Sequence, residues 1–134
     1  MKTRLLIAAA VLVSAGVHLT MWFNGVRHQH VVGPAFLMNV AGGVVIAALL
    51  VSWRHWVPLL LAVGFGCSTL GAFVVATTVG LFGVHDHWTG GYVWTATASE
   101  VVAILAGLAA AWREGYLSRR TQPGQRLVGR PIPH

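Results

Sequence analysis

"PAFLMNVAGGVVIAALLVSWRHWVPLLLAVGFGCSTLGAFVVATTVGLF", residues 34–82, contains one arginine and no acidic residue in 49 positions. About 20 apolar residues in a helix cross the ~30 Å hydrocarbon layer of a bilayer. The stretch is long enough for two such helices, and "RHW" at 54–56 is its one polar break. Pro34 and Pro58 stand near the start of the two halves. Proline is tolerated in the first turn of a helix, where its missing N–H has no intrahelical partner. The reading is therefore two spans, Pro34–Trp53 and Val57–Phe82, the second long enough to tilt, with a link too short for anything but an antiparallel hairpin.

The same reading extends to both sides. Leu5–Phe23 and Tyr92–Trp112 are apolar runs of spanning length. The fold class expected is all-α: an integral membrane four-helix bundle, up-down-up-down, over residues 1–112. A basic tail, 113–134, follows, with too little apolar surface to pack and a composition suited to disorder or to anionic headgroups. The start, "MKTRLLIAAAVLVSAG", also has the pattern of a cleavable signal peptide. The apolar run continues past it through Val17, Leu19, Met21, Trp22 and Phe23, so retention as a first span is expected.

Composition agrees. Of 134 residues 56% are hydrophobic and 9% charged, against about 25% charged in soluble domains; mean hydropathy is +0.70. The net charge of +6 does not indicate nucleic acid, because the cations flank apolar runs and form no basic aromatic-rich module. Attraction to a bilayer surface explains it. Eight of the nine basic residues fall on one side of the four spans, Arg27 alone on the other. The positive-inside rule makes the first side cytoplasmic, with both termini inside. Cys67 is the single cysteine and excludes paired-thiol chemistry.

Two features carry chemistry. "GVRHQH" (25–30) and "GVHDHW" (83–88) each hold a His-x-His pair in a loop on the non-cytoplasmic side. In an extended segment residues i and i+2 point the same way, so His28, His30, His85 and His87, with Asp86, form a candidate site for zinc or copper. Interfacial histidines are the plainer alternative. The second feature is a polar layer inside the spans, roughly 6–11 Å below that surface at ~1.5 Å rise per residue: His18, Asn39, Thr78 and Glu100. An acid in a span needs a partner or a proton. The alternatives are a hydrogen-bonded clasp, with Glu100 protonated or paired with His18, and a proton or cation site. Small residues share the stripes of these four: Ala103 and Gly107 with Glu100, Gly42 and Gly43 with Asn39, Ser14 and Ala15 with His18, Gly64, Cys67 and Gly71 with Thr78. All are expected to face the bundle interior and let helices approach closely.

Across "GVHLTMW", "GPAFLMNVAGGVVIAALLV", "VGLFGVHDHW" and "SEVVAIL" the chain resembles small four-span proteins of high-GC, actinobacterial-type genomes. The resemblance implies a plasma-membrane protein and brings no catalytic residue or cofactor. Small multidrug exporters are similar in size, but their membrane glutamate lies in the first span and Glu100 lies in the fourth. No nucleophile, base and oxyanion set can be assembled, so an enzyme is not expected. The expectation is an accessory or assembly subunit of a larger membrane complex, with other membrane subunits or further copies of itself as partners. A metal-handling protein using the loop histidines and a proton-coupled transporter using Glu100 are the alternatives.

Overall fold

The structure, a computed structural model, describes residues 1–83 and 85–118. The tail expected to be disordered lies, from residue 119 onward, outside the described residues. Four helices follow in order: α1 Lys2–Phe23, α2 Val32–Ser52, α3 Trp56–Thr78 and α4 Gly91–Arg113, with a short 3-10 turn, Val26–His28, between the first two. All four are long and apolar enough to cross a membrane. They form the up-down-up-down bundle, with α1 packed on α2 and α4, and α3 on α4. The α2–α3 contact is the sparsest between neighbours, and α1 and α3 barely meet across the diagonal. Helix α1 runs unbroken past Ala15 and buries Ser14, Ala15 and His18.

The boundaries match the sequence reading within about three residues except at the end of α3. That helix stops at Thr78, not Phe82. Gly80, at φ +85°, adopts the left-handed conformation, and its N–H and that of Val79 both donate to the Val75 carbonyl. A glycine in this conformation ends a helix because it carries no Cβ penalty. Leu81 and Phe82 are apolar but lie beyond the stop.

Side chains of the core concentrate toward one end. Ile7 and Val11 of α1, Ile46 and Leu50 of α2, Leu59 and Ala62 of α3, and Ala103 and Ala110 of α4 form one cluster. In antiparallel helices these positions all lie near the end that carries the termini and the α2–α3 link. In lipid there is no hydrophobic drive between helices, so close backbone approach and van der Waals packing must supply the cohesion. Three glycines provide it. A Cβ on Gly43 would lie 2.9 Å from Ala15 Cβ, one on Gly66 2.7 Å from Ile104 and 2.9 Å from the Glu100 carbonyl, and one on Gly107 2.7 Å from Val63.

At the terminal end Arg4, only 1% exposed, ties three helices together. Its Nε donates to Glu114 Oε1 at 2.9 Å and its Nη2 to Oε2 at 2.6 Å. Its remaining N–H groups reach the carbonyls of Trp53 and His55 at 3.1 and 2.8 Å. Sequence reasoning placed Arg4 as a basic residue before the first span, on the cytoplasmic side. The structure makes it the buried fastener of the α2–α3 link to the start of α1 and the end of α4.

Candidate functional site

At the opposite end the two longer loops fold back over the helices. The Asp86 N–H donates to the Ala76 carbonyl at 3.2 Å, drawing residues 85–90 against α3. The Trp88 ring meets Phe73 edge-on, 4.6 Å between centroids. The His85 ring lies over Gly80, where a Cβ would fall 2.6 Å from it. On the other loop, Gly33 N–H donates to the Gln29 carbonyl at 2.9 Å, and a Gly33 Cβ would meet the Val26 carbonyl at the same distance. Gly33 and Gly80 thus let the loops settle closely on the bundle.

This seating does not gather the four loop histidines. His28 ends the 3-10 turn, where i and i+2 do not point together, and its Nε2 accepts from Arg27 Nε at 3.2 Å. His30, His85 and His87 are exposed. Asp86 Oδ1 accepts the His87 N–H at 2.8 Å. Among the described residues no group of three or more His, Cys, Asp or Glu side chains stands close enough to hold a metal ion.

The polar layer resolves into two separate couples. Between α1 and α4, Ser14 Oγ donates to Glu100 Oε1 at 3.1 Å, with both side chains buried. His18 donates from Nδ1 to the Ser14 carbonyl at 2.8 Å and makes no ion pair with Glu100. Between α2 and α3, Asn39 Nδ2 donates to Thr69 Oγ1 at 2.9 Å. Thr78 belongs to neither couple: it is exposed, and its hydroxyl bonds back to the Val74 and Val75 carbonyls of its own helix. Ser14 was visible in the sequence only as a small residue on the His18 stripe, and Thr69 was not singled out. The signal that finds Thr69 is its spacing from Leu59, Ala62, Gly66 and Ala76, all buried on one stripe of α3.

A cavity of about 640 Å³ lies between α2 and α3, and His18 and Met21 of α1 and His85 and Asp86 of the second loop also line it. Asn39 and Thr69 stand on its two walls. A smaller crevice shares His18, Thr69 and Asp86 with it and reaches Glu100.

Comparison with known protein families, characterised proteins and solved structures finds no match to this chain.

The stripe assigned to the interior through Thr78 in fact faces outward. Cys67 is exposed, as are Gly64 and Gly71, and a Cβ on either glycine would meet nothing within 4 Å. Gly42 of α2 is equally open. The glycines therefore form two classes: Gly43, Gly66 and Gly107 are required by packing inside the bundle, and Gly42, Gly64 and Gly71 are not.

Proposed function

We propose that this is a non-enzymatic, multi-pass plasma-membrane protein with both termini cytoplasmic, working as an accessory or assembly subunit of a larger membrane complex. The orientation rests on the eight basic residues at the terminal end. The assembly role rests on one observation: the outward stripe of Gly64, Cys67 and Gly71 on α3. A glycine inside a helix costs roughly 0.5–1 kcal/mol relative to alanine. Among the described residues nothing lies within 4 Å of a Cβ built on Gly64 or Gly71. They lie seven residues apart, two turns along one face, with Cys67 between. A small-residue face of this kind is what a neighbouring transmembrane helix packs against.

The test is gentle solubilisation of tagged protein from its native membrane. A stoichiometric membrane-protein partner, or a discrete homo-oligomer, is expected with the natural chain and is lost in a Gly64→Leu/Gly71→Leu variant that keeps its helicity. A monodisperse, partner-free protein across several mild detergents contradicts the proposal.

A further inference from the structure

We infer that the cavity between α2 and α3 is a binding site for a lipophilic amine in its protonated form. The inference is independent of the assembly face, which lies on another side of α3. The cavity's size, about 640 Å³, falls within the roughly 300–1,000 Å³ of small-molecule pockets, and its make-up of apolar walls with few convergent polar groups is typical of them. Met21, Phe36, Phe65 and Phe73 provide the apolar surface.

The polar groups call for a donor. Asn39 Oδ1 and Gln29 Oε1 are buried and have no hydrogen-bond partner among the described residues, and both side chains belong to residues that line this cavity. A buried acceptor left unmade costs about 1–3 kcal/mol. The orientation of the Asn39 amide is fixed by its neighbour. The Asn39 amide presents Nδ2 to Thr69 Oγ1, whose hydroxyl donates to the Phe65 carbonyl at 2.8 Å. Oδ1 is then the free end. The Ser68 hydroxyl is committed to the same carbonyl at 3.0 Å. The hydroxyls of the wall thus have no proton to offer a ligand, while the amide oxygens have lone pairs to fill.

Charge selects among donors. Among the described residues no lysine or arginine lines the cavity; Asp86 does, with His18 and His85 as its other titratable side chains. Phe36 and Phe73 add aromatic rings to the lining, and an aromatic ring attracts a cation. An ammonium on an apolar body satisfies the acceptors, the carboxylate and the rings together; a neutral alcohol satisfies only the first. Entry is from the membrane: Met38 and Phe82 at the rim are 75% and 72% exposed, at the level where an amphipathic amine resides in a bilayer.

The probe is monodansylcadaverine, an aliphatic amine on a fluorescent apolar ring, added to the full chain in phosphatidylcholine nanodiscs. Saturable, blue-shifted emission above that of empty discs is expected. It weakens at least about tenfold for the N-acetylated probe, for Gln29→Met and for Asn39→Leu, as loss of one charge-assisted hydrogen bond implies. Ala72→Phe, which fills the cavity, abolishes it. Gln29→Met and Ala72→Phe break no hydrogen bond seen in the fold, so the test survives if Asn39→Leu does not fold. Equal binding of the acetylated probe overturns the cationic assignment. Emission no greater than in empty discs, or saturable binding that Ala72→Phe leaves unchanged, overturns the site.

Discussion

Arg4 and Glu114 are 110 positions apart and share two hydrogen bonds, 2.9 and 2.6 Å long, that join the first turn of α1 to the end of α4. The pair holds the helix ends in register, because the same guanidinium also satisfies the carbonyls of Trp53 and His55. The hydrogen bond from Arg4, with its charge in support, keeps the Glu114 carboxyl below the ordinary value of 4.5. The folded state therefore binds that proton more weakly than the unfolded chain. Stability from this pair is full above about 4.5 and is lost as pH falls through the lowered value. Thermal melts in detergent from pH 7 to pH 3 should show wild type losing its advantage over Glu114→Gln across that window. At pH 7 the variant should be about 1–3 kcal/mol less stable, since it leaves a buried cation without its counter-charge. No difference at pH 7, or a difference that does not shrink on acidification, would show that the charge of the pair contributes nothing.

The two glycine classes predict opposite signs for one substitution. Gly64→Ala and Gly71→Ala should stabilise the isolated protein by up to about 1 kcal/mol each, and so raise its melting temperature, through helix propensity alone. Gly66→Ala should lower it, because the new methyl would meet the Glu100 carbonyl at 2.9 Å, and backbone cannot step aside as a side chain can. Circular-dichroism melts of the three variants decide the matter; the same sign at all three positions would refute the division.

Ser14→Ala removes the hydrogen bond that Glu100 Oε1 accepts inside the bundle. The expected loss is about 1–3 kcal/mol, the cost of a buried polar group without its partner. Glu100→Gln keeps an acceptor for the Ser14 hydroxyl and should cost less than Glu100→Leu. Denaturant unfolding in mixed micelles ranks the variants. If Glu100→Leu proves as stable as wild type, the Ser14–Glu100 couple holds nothing together.

The helix count and most helix ends were legible because lipid imposes a single length on every span and Lys2, Arg4, Arg54 and Arg113 mark the ends on one side. The end of α3 was missed because Leu81 and Phe82 read as span, whereas the backbone of Gly80 sets the limit. The inward faces were legible on α1 and α4, where Ser14, His18, Ala103 and Gly107 are buried as expected. They were not legible on α3, which is apolar on every side, so composition cannot say which stripe turns in. Thr78 and Cys67 were placed inside on spacing alone, and the stripe through Leu59, Ala62, Gly66 and Thr69 took that position. The loop histidines echo each other in sequence, but a shared local pattern does not set the distance between two loops. That distance depends on where α3 ends and how Asp86 returns to Ala76. The Arg4 fastener was hidden for a related reason: a basic residue before a span has the same appearance whether it faces headgroups or a glutamate 110 positions away.

The central claim is that the α3 face carrying Gly64, Cys67 and Gly71 is a seat for another transmembrane helix. It is tested most directly by attaching benzophenone maleimide to Cys67, the chain's only cysteine, and irradiating intact native membranes. The account predicts one discrete protein adduct at that position, either a second copy or a distinct membrane subunit, absent from the Gly64→Leu/Gly71→Leu variant. Adducts to lipid alone, with the bundle intact, would contradict it.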